Sequence, residues 1–236
     1  MLKKALIVFA HPNLKSYCGA LRDTSIQQFN KMGVSVLQSD LYQMNFNPVL
    51  TFSNYGIPKD TQGTNINEQV KMAVLNSNID PMLQEEIDKA KAADYIIFIT
   101  PTWWGTFPAI LKGWLERVLA PGVAADVPDK IYKKAYFRGK KSMIVTTTGF
   151  GKEYFSKEGE HSSNQTLEEN YWHIINGVFA YCGMETLPIV ACYGMDNSTD
   201  KQRKDHIEVL RKAIEDIEKM KPIYCPLLHD PARNAI

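Results

Sequence analysis

Three short stretches concentrate residues able to do chemistry. In HPNLKSYCGAL, residues 11–21, His11 offers a hydrogen bond or a charge. Ser16, Tyr17 and Cys18 then open a predicted helix whose first amides and dipole attract an anion. The stretch carries neither a Walker loop nor GxGxxG, and a Ser N-cap beside a turn histidine is its structural alternative. Cys18 is either a thiol acidified by the helix start or a small packed residue. In TPTWWGTFPAILKGWLERVL, residues 100–119, Trp103 and Trp104 offer a flat wall. Gly105 lets a ligand approach the backbone without a Cβ in the way. The alternative is that one indole fills the core. In TTTGFGKEYFSKEGEH, residues 146–161, Thr147, Thr148, Gly149 and Gly151 present hydroxyls and amides. Tyr154 and His161 can donate protons, and His161 can change charge near neutral pH. Its alternative is a surface histidine on a loop.

These stretches follow predicted strands. Ala5–Ala10 is a continuous apolar run, as for a strand buried on both faces. Ser16 caps a helix to about Lys31, which Gly33 stops. Val34–Leu37 is a second strand, Tyr95–Ile99 a third, Met143–Val145 a fourth and 186–193 a fifth. Helices are predicted over Pro81–Ala93, Pro108–Leu119, 164–181 and 198–220. Residues 41–81 form a long turn-rich excursion with Pro48, Gly56, Pro58 and Gly63, tied down by Phe46, Val49, Leu50 and Phe52. The alternation predicts an α/β, flavodoxin-like, doubly wound five-stranded parallel sheet with helices on both faces. Residues 1–220 read as one domain and 221–236 as a tail. In such a sheet ligands sit beyond the carboxyl ends of the strands. The three stretches converge there, and a tricyclic isoalloxazine ring is a ligand that needs a flat wall with backbone donors at its edge.

Bulk properties narrow the classes. The 236 residues are 44% hydrophobic and 22% charged, with a net charge of +1, so neither nucleic acid nor an anionic membrane is an expected partner. Cys18, Cys182, Cys192 and Cys225 form no CxxC pair, and their sparseness suits a reducing compartment. The apolar run in MLKKALIVFAHP is too short for a signal peptide's core. No apolar stretch approaches the roughly 20 residues of a membrane span. A cytoplasmic protein without a membrane span is expected.

Taken together, the segments resemble the flavin-dependent NAD(P)H:quinone oxidoreductases of the DT-diaphorase type. SDLYQMNFNPVL at 39–50, KAADYIIF at 91–98 leading into PTWWGTFPAILKGWLERVL, and TTTGFG with SKEGEH carry the likeness, which spans about residues 3–220. The resemblance implies a flavodoxin-like fold, bound FAD (with FMN as the other option), NAD(P)H as cosubstrate, a small quinone as acceptor, and a homodimer. His11, Ser16, Tyr17 and Cys18 match the family's pyrophosphate loop. Thr102, Trp103, Trp104 and Gly105 match its isoalloxazine loop, and Thr147, Thr148, Gly149 and Phe150 its fourth-strand loop. Arg203 matches an arginine near the adenosine, and His161 the active-site histidine.

There are departures. Phe150 stands where the family usually has a second glycine, and its active-site tyrosine falls on Phe155, with Tyr154 one residue earlier as a helper to His161. Aromatic positions that the family's second subunit supplies fall on Ala125 and Val127. Trp104, Phe155 and Tyr181 are left to line the substrate pocket. The chain stops at Ile236, short of the family's metal-binding extension, so no metal is expected. The implied activity is ping-pong transfer of two electrons as hydride from NAD(P)H to a quinone. Rivals are a flavin-bearing regulatory subunit of a transport system, a flavodoxin-type one-electron carrier, and a nitro- or azo-reductase. The Trp pair and the long excursion favour an enclosed substrate pocket over an exposed flavin edge.

Overall fold

The structure is a computed structural model that describes residues 2–58 and 65–230. Gly63 and the last six residues of the expected tail lie outside the described residues. The sheet is built from β1 (Lys4–Phe9), β2 (Ser35–Asp40), β3 (Tyr95–Pro101), β4 (Lys141–Thr147), β5 (Glu185–Thr186) and β6 (Val190–Cys192). All pairings are parallel, in the order β2-β1-β3-β4-β5, with β6 also on β4. This is the flavodoxin-like order, with its switch point between β1 and β3. Two short strands fill the fifth place because Pro188 falls between them and has no N–H for a ladder.

Successive strand side chains point to opposite faces, and each face has its own core. Leu6, Val8, Ile96, Phe98 and Ile144 join one cluster; Ala5, Ile7, Phe9, Ile97, Ile99, Met143 and Val145 join the other. The second cluster is covered by α1 (Tyr17–Lys31), which Ser16 caps by accepting from Gly19 N, and by the last long helix, Asp200–Glu215. That helix ends in turns well before residue 220. Residues beyond it run back to the body: Ile223 N donates to Thr186 O at 2.8 Å, and Cys225 is buried.

The excursion holds a helix that the composition hid. Here α2 (Ile66–Leu75) starts at Asn65 and buries Val70, Ala73 and Val74, with the asparagines around it serving as caps. Before it, Phe52–Tyr55 is a single 3-10 turn. Phe46 is buried and Leu50 and Phe52 pack partly, but Val49 is exposed, contrary to expectation.

Two further helices, α3 (Pro81–Ala92) and α4 (Ala109–Val118), pack on the first core face and hold the excursion. A Cβ on Gly113 would lie 2.2 Å from Pro48 O, so only glycine allows this approach. Arg117, one turn on, is buried; its guanidinium lies 5.1 Å over the Phe46 ring and bonds Asn47 O. Trp114 is fully buried and donates its indole N–H to Glu86 Oε2 at 2.7 Å, and Lys89 pairs with the other carboxylate oxygen at 2.9 Å.

The predicted helix over 164–181 is interrupted. It runs as α5 (Leu167–Asn170), breaks at Tyr171, resumes as α6 (Trp172–Ile174), and continues as a π-helical turn over Ile175–Ala180. No described helix is long and apolar enough to cross a membrane.

The Gly113–Pro48 contact makes a direct prediction. Gly113→Ala forces backbone apart and lowers stability by about 1–3 kcal/mol in urea unfolding. Gly177→Ala, where a Cβ meets nothing within 4 Å, leaves stability unchanged or raises it by up to about 1 kcal/mol. Equal effects at both positions would show that the close approach is not needed.

Candidate active site

The carboxyl ends of β1, β3 and β4 gather most of the predicted site residues. After β1, His11 Nδ1 lies 3.0 Å from both the backbone N and the backbone O of Asn13, which holds the ring against its own loop. The His11 ring centre lies 6.0 Å from that of Trp103, so the first two loops touch. Geometry leaves the first amides of α1 without helical partners, and Ser16 Oγ takes up that of Gly19. No acidic residue stands in the first turn, so its positive end is uncompensated. Tyr17 OH donates to Arg203 O at 2.5 Å. The Arg203 guanidinium is held by Ser198 Oγ at 3.0 Å, by Ser198 O at 3.1 Å and by Asp200 at 3.6 Å.

Cys18 faces inward. It is buried, with Sγ 3.2 Å from Thr147 Oγ1. Burial pushes its thiol up to about 11, against the direction an open helix start would give. Cys192, whose backbone pairs with Thr147 across the sheet, is pushed up to about 12 by the same cause.

The loop after β3 is a tight reversal. Trp103 N–H donates to Thr106 O, and Thr106 N–H to Trp103 O, both at 3.0 Å. The two residues between them, Trp104 at φ 51° and Gly105 at φ 73°, are both left-handed. This is the pattern of a primed two-residue turn, whose first position usually falls to Asn, Asp or Gly. A bulky aromatic there costs about 1–3 kcal/mol in backbone strain. The return is orientation: the Trp104 indole stands fully exposed on the rim, with Trp103 half out beside it. Thr102 N–H donates to Thr147 O at 2.8 Å, locking the base of the turn to the next strand end.

After β4, Thr148 N–H donates to Cys192 O at 3.0 Å and Thr148 Oγ1 accepts Phe150 N–H at 3.2 Å. A Cβ on Gly149 would meet the Asp196 carboxylate at 2.4 Å. Phe150, in the place of the family's second glycine, is exposed and stacks on Tyr154 at 4.1 Å. Tyr154 meets Phe155 edge-on at 5.0 Å, and Phe155 is buried against Tyr193. His161 is exposed on the same loop. Tyr181 lies edge-on to Tyr132 at 5.4 Å. Among the described residues, no hydrogen bond or ring contact joins His161 or Tyr181 to the three strand ends.

The wall is open rather than enclosed within one chain. Two of the described cavities lie elsewhere. One of about 420 Å³ sits between residues 55–58 and α2, and one of about 530 Å³ lies at the end of β2 beside Ser39 and Asp40. Sequence reading also missed three residues that touch the turn: Asn170, Tyr171 and His173. The signal was there in NYWH, four consecutive residues whose side chains can all hydrogen-bond.

Comparison with known proteins supplies the family. A family model described as a flavodoxin-like fold matches residues 3–217. Ribosyldihydronicotinamide dehydrogenase [quinone] of Mus musculus is 34% identical over 228 residues, covering 94% of this chain and 95% of that protein. NAD(P)H dehydrogenase [quinone] 1 of Rattus norvegicus is 32% identical, covering 94% of this chain and 80% of its own length. The chain belongs to the flavodoxin-like NAD(P)H:quinone oxidoreductase family. Its backbone also superposes on a crystal structure from Klebsiella pneumoniae, proposed to be a quinone reductase, with a TM-score of 0.86 at 29% identity, covering 94% of this chain and 87% of that one. The family is one of enzymes.

The buried thiols give a test of local chemistry. With Cys18 at about 11 rather than an ordinary 9.0, its thiolate fraction at pH 8 is about a hundredfold lower. Native protein at pH 8 therefore reacts with a disulfide reagent at least a hundredfold more slowly at Cys18 than the guanidinium-unfolded chain. Fast native labelling at Cys18, read by peptide mass, would contradict its inward packing.

Proposed function

We propose that the protein is an NAD(P)H-dependent quinone reductase that works through bound FAD, as a homodimer. The observation that carries this is the Trp103–Thr106 turn. It spends backbone strain to hold an indole outward at the switch point, next to an uncompensated helix start. A flat ring with an anionic tail fits both features, and the names of the relatives support a quinone as acceptor.

The donor set fits such a group. The start of α1, with the His11 imidazole on the loop before it, would bind a diphosphate through the amides that Ser16 does not cap. Thr102, Trp103, Trp104 and Gly105 supply one wall, with the Trp104 and Gly105 N–H groups as its backbone donors, since those of Thr102 and Trp103 are engaged within the fold. Thr147, Thr148, Gly149 and Phe150 supply the other edge. Arg203, already oriented by Ser198, stands next to Tyr17 where an adenosine moiety would lie, which supports FAD over FMN. When bound, the flavin supplies two-electron, hydride-type chemistry between NAD(P)H and quinone, in two half-reactions at one place.

The chain's own residues do the rest. The amides of the β3 loop orient the ring, and Trp104 and Phe150 limit water at its edge. His161, with Tyr154 as helper, would donate a hydrogen bond to a bound flavin; one such donor is worth roughly 100–1000-fold in rate. Trp104, Phe155 and Tyr181 bound the acceptor space. The exposure of the Trp104 wall in one chain supports a second copy closing over it.

Denatured protein is expected to release FAD, identified by mass, and light scattering to give the mass of two chains. Steady-state oxidation of NADH or NADPH is expected with a benzoquinone, and faster than with a nitro or azo acceptor. His161→Ala is expected to slow reduction of the bound flavin by roughly 100–1000-fold; an unchanged rate would remove His161 from this role.

A further inference from the structure

We propose that Asn170, Tyr171 and His173 form a positioning clamp that holds the Trp103–Thr106 turn in its left-handed form and so sets which acceptors stack on Trp104. The proposal rests on the quinone reductase reading and assigns residues outside the three loops to it.

The turn is not self-sustaining. Its two internal hydrogen bonds close a reversal that favours Asn-Gly or Gly-Gly, yet its first central residue is tryptophan. Among the described residues, its indole packs against nothing that would offset the strain. Support has to reach the backbone and the flanks, and beyond the Thr102–Thr147 bond it comes from one neighbouring segment. Asn170 Nδ2 donates to Gly105 O at 2.5 Å, at the apex. Tyr171 OH lies 2.9 Å from Thr102 Oγ1, before the turn. His173 Nε2 lies 3.1 Å from Thr106 Oγ1, after it. The bonds bracket Trp103 and Trp104 without touching either side chain, which leaves both indoles on the open side.

The local fold of the clamp explains how neighbouring side chains reach one loop. On a continuous helix, residues 170 and 171 would diverge by about 100°. The helix instead breaks at Tyr171, whose backbone sits at φ −91°, ψ 7°. Tyr171 is fully buried against Phe107 at 5.2 Å. Its hydroxyl must therefore be satisfied inside the protein. Thr102 does this and continues to Thr146 Oγ1 at 2.8 Å, so the chain of hydroxyls ties the turn to β4. The clamp thus runs from the core to the surface: a buried phenol, a half-buried amide and an exposed imidazole.

The test uses Asn170→Ala, Tyr171→Phe and His173→Ala, the Asn170→Ala/His173→Ala pair, and His173→Gln as the conservative variant. Tyr171→Phe keeps the ring packing, and the other two positions lie toward the surface. Hydrogen exchange at the Trp103 and Thr106 amides, read by NMR on flavin-free protein, reports opening of the turn directly. Each lost bond is expected to speed that exchange about fivefold, and the pair more, while β3 amides keep their protection. In the flavin-loaded enzyme, KM for a benzoquinone is expected to rise about fivefold with the limiting rate at saturating NAD(P)H within about twofold, and His173→Gln to restore both readouts. Unchanged exchange in all three single variants, or faster exchange with an unchanged quinone KM, overturns the clamp. A wild-type protein that takes up no flavin and oxidises no NAD(P)H overturns the functional reading instead, and is seen before any variant is made.

Discussion

Everything at the rim depends on β3 being buried along its whole length. All seven residues, Tyr95 to Pro101, are inside, with β1 on one side and β4 on the other in unbroken register. Slipping such a strand by one residue would exchange its two core faces, so its register is held by both clusters at once. The chain therefore emerges at Thr102 at a set height relative to Ala10 and Thr148. The tight reversal, its indoles and their neighbours on the other two strands inherit that precision. Without it, three loops distant in sequence would have no common frame.

The excursion obeys a second constraint, set by α4. Gly113 and Arg117 lie one turn apart on a single face and meet Pro48, Asn47 and Phe46. The two stretches with the most distinctive composition, MNFNP and KGWLERV, are thus two halves of one contact. The same helix also carries Trp114, which reaches α3 through Glu86. One helix so joins the sheet, α3 and the excursion.

Much of this was legible in the sequence because it rests on periodicity. The continuous apolar runs of β1 and β3 allowed only doubly covered parallel strands, and Ser16 and Gly33 marked the limits of α1. The strand-end loops stood out because tandem tryptophans and clustered threonines are odd choices for plain turns. What escaped were features decided by tertiary contact. The helix α2 was lost among asparagines that proved to be its caps. The fifth strand read as one run, although Pro188 splits it. The π-helical turn after Tyr171 has no periodic signature, because it differs from an α-helix only in register. The hydrogen bonds from Asn170, Tyr171 and His173 to the tandem-indole loop cross more than sixty positions of chain, and no local pattern announces them.

The four inward cysteines carry a consequence for an enzyme proposed to handle quinones. Burial holds the thiols of Cys18 and Cys225 near 11 and those of Cys182 and Cys192 near 12. Quinones are electrophiles that undergo conjugate addition by thiolates, so an acidic surface cysteine would be arylated by the very molecules passing through the site. Packing every sulfur out of reach in its neutral form gives the chain a built-in tolerance of its own reactants.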